Sequence, residues 1–286
     1  MTATASSSPK LRVDTRGTNE LPPHLDENLL TPRFYVTEFK KAAKTELTDA
    51  REEFEAMLSE MKADYNCTHF DRKASLDRLQ ELPQKAKETY ESYLVRSVIS
   101  EFSGFLLFKE ISNRLKKEGN RDLGKLFQFL ARDEARHAGF LSRALVAEGI
   151  EVDLPHLGGK RAATWFPISW VIYSVYLSEK IGYWRYILMD RHLKANPGEA
   201  FAPLFDFFEP WCQDENRHGD CFTVMMRCWP GITKGWRGKL LSRFFLWSVF
   251  LTHTLTVCER GEFYELLGIE PKEFDEEVIK RTNHTS

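Results

Sequence analysis

Two segments of the chain carry the same five-residue pattern, Asp133-Glu134-Ala135-Arg136-His137 and Asp214-Glu215-Asn216-Arg217-His218. Helical residues three apart share a face, so each Glu and its His present an oxygen and a nitrogen toward one point. A lone Glu-x-x-His is a common surface pair, but two copies sharing the preceding Asp and the inner Arg form a repeat. The surrounding face is apolar, with Phe127, Leu130 and Leu141 about the first copy and Leu204, Phe208, Trp211 and Phe222 about the second. An ionised carboxylate buried without a partner costs several kcal/mol, so acids aimed into such a face call for a cation. Oxygen and nitrogen donors without thiolate suit iron or manganese.

Four segments show the helical period that would position these groups: 84–118, 121–148, 168–195 and 199–228. Their limits fall at Pro83, Gly119-Asn120, Gly149, Asn196-Pro197-Gly198 and Pro230-Gly231, which supply φ freedom or lack the N–H that continues a helix. No run alternates convincingly as a strand. The first and third segments add Glu101 and Glu179 on equivalent apolar faces. Glu101 lies 18 residues before Gly119, with Glu134 and His137 15 and 18 after it. Glu179 lies 18 before Pro197, with Glu215 and His218 18 and 21 after it. Antiparallel helices place residues equidistant from their turn side by side, so all six reach about one level.

This pattern predicts an all-α fold, a ferritin-like four-helix bundle with a di-iron carboxylate site and extra flanking helices. Glu101, Glu134, His137, Glu179, Glu215 and His218 are the expected metal ligands, with Glu134 and Glu215 bridging two ions and Glu101 and Glu179 terminal. Ligating imidazoles give their other N–H to an acceptor, which predicts crosswise pairs, Asp133 with His218 and Asp214 with His137. Taken singly, Glu101 and Glu179 read as acids paired with Lys109 and Lys180. Residues 1–27 read as a disordered Ser/Thr-rich arm, and 28–286 as a single domain with its bundle core at about 84–228 and short helices outside it.

With 40 Lys and Arg against 42 Asp and Glu, the net charge of −2 provides no basic field for nucleic acid. Five cysteines without a C-x-x-C pair point to reduced thiols, not a disulfide framework or a thiolate zinc site. The most apolar stretches, 165–177 and 244–258, fall short of the ~20 residues that span a bilayer, so no transmembrane helix is expected. Trp165, Phe166, Trp170, Trp247 and Phe250 are expected in the core more than on a membrane surface.

The segments Glu101-Phe-Ser-Gly-Phe-Leu-Leu-Phe-Lys-Glu110, Arg132-Asp-Glu-Ala-Arg-His-Ala-Gly-Phe-Leu141, Ser178-Glu-Lys-Ile-Gly-Tyr-Trp-Arg-Tyr186 and Trp211-Cys-Gln-Asp-Glu-Asn-Arg-His-Gly-Asp220 resemble the aerobic, oxidative Mg-protoporphyrin IX monomethyl ester cyclases. Leu30-Thr-Pro-Arg-Phe-Tyr35 and Arg281-Thr-Asn extend the likeness from about residue 28 to the end, although family chains usually continue past the point where this one stops, Ser286. The resemblance implies a di-iron monooxygenase-type enzyme of chlorophyll and bacteriochlorophyll biosynthesis. It would use O2 to form the isocyclic ring of a Mg-porphyrin substrate, giving divinyl protochlorophyllide. Two Fe ions are the implied cofactor, with electrons from NADPH through a separate reductase or ferredoxin. The implied partners are that electron donor, a small accessory cyclase subunit and, peripherally, a membrane. The implied location is the cytoplasm or membrane surface of a photosynthetic bacterium, or a plastid in a eukaryote. Trp184, Tyr183, Phe105 and Phe108 are wall candidates for a flat tetrapyrrole. The alternative is a ferritin- or rubrerythrin-like protein that handles iron or reduces peroxide with the same six ligands.

Overall fold

A computed structural model describes residues 12–13, 33–45, 50–71, 79, 81–147, 149–152, 154, 163–197 and 205–286. The fold is all-α and ferritin-like. Two short strands, β1 (Arg12–Val13) and β2 (Arg33–Thr37), precede helices α1 (Phe39–Ala43) and α2 (Arg51–Ala63). The bundle follows as α3 (Gln84–Lys117), α4 (Arg121–Ala147), α5 (Ile168–Ala195) and α6 (Phe208–Cys228), with β3 (Glu151–Val152) and β4 (Ala163–Pro167) in the crossing between its halves. Helices α7 (Pro230–Thr233), α8 (Gly235–Glu259), α9 (Gly261–Leu266) and α10 (Pro271–Thr285) close the chain.

The turn between α3 and α4 shows how local sequence sets the height of the site. Gly119 adopts φ +99°, and the Asn120 N–H reaches back to the Leu115 carbonyl at 3.0 Å. The Asn120 side chain then accepts the Leu123 N–H at 3.0 Å and caps α4. The helix expected from residue 199 begins at Phe208 instead. Phe205 and Phe207 are both buried, and two residues two apart cannot share one helical face, so a turn seats them.

Other departures have equally local causes. Strand β2 pairs in parallel with β4, and β1 with β3, joining segments more than a hundred residues apart that are too short to show alternation. Residues 12–13 thus lie in a strand within the stretch read as an arm; the rest of 1–27 lies outside the described residues. After residue 238 the chain forms not a short helix but the 25-residue α8, long and apolar enough by length and composition to cross a membrane. The basic residues Arg237, Lys239 and Arg243 make the apolar stretch look shorter in sequence, yet the helix runs straight through them. Among the expected core aromatics, Trp165 and Trp247 are 70% and 65% exposed.

Two apolar clusters fill the bundle. One gathers residues 86–99 of α3, 138–145 of α4, 181–193 of α5 and 205–212 leading into α6; the other gathers 108–115, 123–131, 168–177 and 221–228 of the same helices. The six expected ligands fall in the gap between them on every helix.

Candidate metal centre

Glu101, Glu134, Glu179 and Glu215 are buried, and His137 and His218 are fully enclosed. Their ligand atoms converge as two triads: Glu101, His137 and Glu215 in one, and Glu134, Glu179 and His218 in the other, all within 4.8 Å in each. Each triad takes residues from three helices, and exchanging the hairpins α3–α4 and α5–α6 turns one triad into the other. Nδ1 of His137 lies 3.3 Å from Glu101 Oε2, and Nδ1 of His218 lies 3.3 Å from Glu179 Oε2 and 3.4 Å from Glu134 Oε1. The opposite ring nitrogens face aspartates on the other hairpin, Nε2 of His137 at 3.1 Å from Asp214 and Nε2 of His218 at 3.5 Å from Asp133. This is the crosswise arrangement of the sequence reading, with Nδ1 turned to the carboxylates and Nε2 to the supporting acid.

The electrostatics call for a cation. Burial, then neighbouring Glu101 and Glu179, raises the Glu134 pKa well above the ordinary range; burial, then Glu179, Glu101 and Glu134, does the same at Glu215. Burial alone would lower the imidazole pKa values, but the neighbouring carboxylates of Asp214 and Glu101 raise that of His137 well above normal, and those of Asp133, Glu134 and Glu179 raise that of His218. Among the described residues, no Lys or Arg pairs with any of the four glutamates. Lys180 bonds Asp220 at 2.8 Å, and Lys109 sits over the Phe105 ring, so the ion-pair reading of Glu101 and Glu179 fails. Four carboxylates and two neutral imidazoles fit a pair of divalent iron ions in charge and donor type.

Several supporting groups carry no repeat signal. Asp214, held well below the usual carboxylate range despite burial by His137 and nearby cations, accepts from Asn66 at 3.0 Å and from Arg217. Trp211 stacks on His137 at 4.2 Å between centroids and donates its indole N–H to Glu215 at 2.9 Å, while Phe70 meets His137 edge-on. A signal was present for Gly104 and Gly182, each three residues after a candidate ligand, Glu101 or Glu179. A Cβ at Gly104 would lie 2.8 Å from Glu134 Oε2, and one at Gly182 2.9 Å from Glu215 Oε2. Both glycines leave room for the carboxylate of the facing helix.

The neighbouring cysteines are bystanders, since burial raises the thiol pKa of both Cys212 and Cys221, and all five cysteines are free. Of the wall candidates, Phe108 is core, packed against Phe127 and Phe222, because the face bearing it closes the bundle below the ligands. Phe105, Tyr183 and Trp184 are half-buried, and Trp184 donates to Thr285.

Comparison with known proteins agrees with this geometry. The rubrerythrin family model matches residues 92–226, a span containing all six ligand candidates. A magnesium-protoporphyrin IX monomethyl ester [oxidative] cyclase of Prochlorococcus marinus is 76% identical over 286 residues, covering 100% of this chain and 81% of that protein. A cyclase 2 of Thermosynechococcus vestitus is 54% identical over 261 residues (91% and 73%), and a cyclase 2 of Synechocystis is 53% identical over 264 residues (91% and 73%). No solved structure matches the chain. The matches cover this chain from end to end, and the chain belongs to the magnesium-protoporphyrin IX monomethyl ester oxidative cyclase family.

Proposed function

We propose that this chain catalyses the O2-dependent oxidative cyclisation of Mg-protoporphyrin IX 13-monomethyl ester to divinyl protochlorophyllide in chlorophyll biosynthesis. The observation that carries this reading is a buried set of six converging donors in a chain 76% identical over its full length to a named cyclase. Glu101, His137 and Glu215 would hold one iron, and Glu134, Glu179 and His218 the other. When bound, the iron pair supplies the O2-activating redox chemistry. The protein contributes orientation and dryness. Asp214 fixes the His137 tautomer, Asp133 faces Nε2 of His218, the Trp211 indole holds the Glu215 carboxylate, and the apolar clusters above and below exclude water. Three two-electron oxidations, each consuming O2 and two electrons from the donor, would convert the side-chain methylene to an alcohol, the alcohol to a ketone with loss of two hydrogens, and then join the activated carbon to the adjacent meso carbon as each gives up one hydrogen. Electrons are assigned to NADPH through a separate reductase or ferredoxin. Supplying iron-loaded protein with the porphyrin ester, an electron donor and O2 tests the reading: protochlorophyllide is expected, and iron-dependent peroxide reduction without it would favour the rubrerythrin-like alternative. That alternative explains only the bundle, whereas the cyclase relatives align along the whole chain.

Peripheral membrane contact belongs to the same proposal. Trp236, Leu240, Phe244, Trp247, Leu251 and Leu255 form one exposed stripe along α8, whose other face packs on α5 and α10. Residues 234–258 contain Lys234, Arg237, Lys239 and Arg243 and no acid, which suits an anionic lipid surface. Sedimentation with anionic vesicles, weakened by salt and lost in Trp247→Ser, is expected; equal binding by the variant would contradict this contact.

A further inference from the structure

Where the bundle meets the closing helices, cations gather among tyrosines with too few acids. The Arg185 guanidinium of α5 lies 4.8 Å over the Tyr186 ring and donates to its hydroxyl at 3.1 Å, yet its Nε is buried without an acceptor. Arg260, after α8, faces the Tyr93 ring at 6.0 Å, and its Nε is likewise buried without an acceptor. Among the described residues, neither guanidinium has a carboxylate at ion-pair distance. The two are close enough that Arg185, after burial, lowers the Arg260 pKa.

The local acids are committed elsewhere. Glu259 bonds Arg96 at 2.6 Å, while Asp275 accepts from Thr254 at 2.9 Å and lies 3.4 Å from His253. Burial, followed by Arg185 and Arg260, pushes the His253 imidazole down to about 3, so it adds no charge and no counter-ion. Other enclosed cations in the bundle have acids, Lys180 with Asp220 and Arg136 with Asp64 at 2.5 Å. Aromatic faces attract a guanidinium but leave its charge uncompensated, and two such charges within electrostatic reach of each other are costly unless an anion offsets them. Paired guanidinium forks match a carboxylate in shape as well as charge.

The cluster is also near the chemistry. Tyr186, beneath Arg185, meets Trp211 at 5.9 Å between centroids, and Trp211 holds Glu215. Two aromatic rings in succession, Tyr186 and Trp211, therefore lie between the Arg185 guanidinium and Glu215.

We infer that Arg185 and Arg260 form a carboxylate-binding site, and that its occupant is the free propionate of the porphyrin substrate. The inference rests on the cyclase reading. A porphyrin monomethyl ester keeps one ionised propionate, on the pyrrole next to the one bearing the reacting esterified chain. Clamping the acid fixes which edge of the macrocycle faces Glu101 and Glu215, which makes Arg185 and Arg260 positioning residues for the ring-closing edge.

The test compares Mg-protoporphyrin IX monomethyl ester with its dimethyl ester, which lacks the free acid, by titrating the full chain and following porphyrin fluorescence. The wild type should bind the monoester at least about tenfold more tightly, as expected for a charge-assisted pair lost in the analogue. Arg185→Gln and Arg260→Gln should erase that preference while leaving diester affinity unchanged, and Arg260→Lys should keep part of it. Equal binding of the two esters by the wild type overturns the inference without needing any variant to fold, as does an undiminished preference in both Gln variants. Competition by millimolar acetate against the monoester alone is expected. If acetate competes equally with both esters, the propionate is not the occupant. Failure of both esters to bind would count against the cyclase reading itself.

Discussion

The two hairpins α3–α4 and α5–α6 present the same ligands at the same spacing, yet the structure holds them differently. His137 is fixed on three sides, stacked on Trp211, edged by Phe70 and bonded at 3.1 Å to an Asp214 that is itself held by Asn66 and Arg217. His218 has a 3.5 Å contact to Asp133, at which neither facing atom makes a hydrogen bond, and no aromatic ring stacks on it among the described residues. Asp133 is anchored by Arg132 at 2.9 Å and by Arg136 at 3.6 Å. The repeat sets which atoms converge. How firmly they are held depends on residues outside the repeat, above all Asn66 and Phe70 from the segment between α2 and α3. The side chains of the His137 half are thus held more firmly than those of the His218 half.

The sharpest way to break this comparison is to remove the supporting aspartates one at a time. Asp214→Ala leaves His137, Asn66 and Arg217 without their shared acceptor, and a loss of about 10- to 100-fold in metal affinity is expected. Asp133→Ala should cost several-fold less, because its contact to His218 is already long. Iron retained per chain against increasing chelator measures both, and equal losses would erase the asymmetry.

The glycines test the symmetric part of the account. Gly104→Ala and Gly182→Ala each place a methyl group against the end of a flexible glutamate, so the helices should survive while the Glu134 or Glu215 carboxylate is displaced. The metal-free protein should gain about 0.5–1 kcal/mol from replacing a helical glycine, while iron content falls by similar amounts in the two variants. Thermal melts with and without iron separate the two effects.

A smaller effect concerns protons. Glu134, Glu215, His137 and His218 all have raised pKa values, so each holds its proton more firmly than a free side chain does, and metal must displace whatever protons they carry. Iron uptake should release protons into weak buffer, and affinity should fall as pH decreases. Uptake without proton release would contradict this charge balance.

Much of this arrangement was legible because it is written in helical spacing. Gly119 and Pro197 marked the turns, Glu-x-x-His marked two faces, and counting from the turns brought Glu101 and Glu179 level with them. Features that depend on distant contacts were not legible. The start of α6 is set by seating Phe205 and Phe207 together, and the β2–β4 pair joins segments that carry no signal alone. The Arg185 and Arg260 cluster needs α5 to meet the end of α8. The exposure of Trp247 follows from which face of α8 meets the bundle, a choice that a helix apolar on every side leaves open.

The central claim is that six residues on four helices hold two metal ions. The most direct measurement is an iron count on anaerobically purified protein beside Glu134→Ala, with circular dichroism to confirm the fold of each. About two irons per wild-type chain, with the count sharply reduced in a folded variant, is the result this account expects. A wild-type chain that takes up no iron, or a variant that keeps both ions, would contradict it.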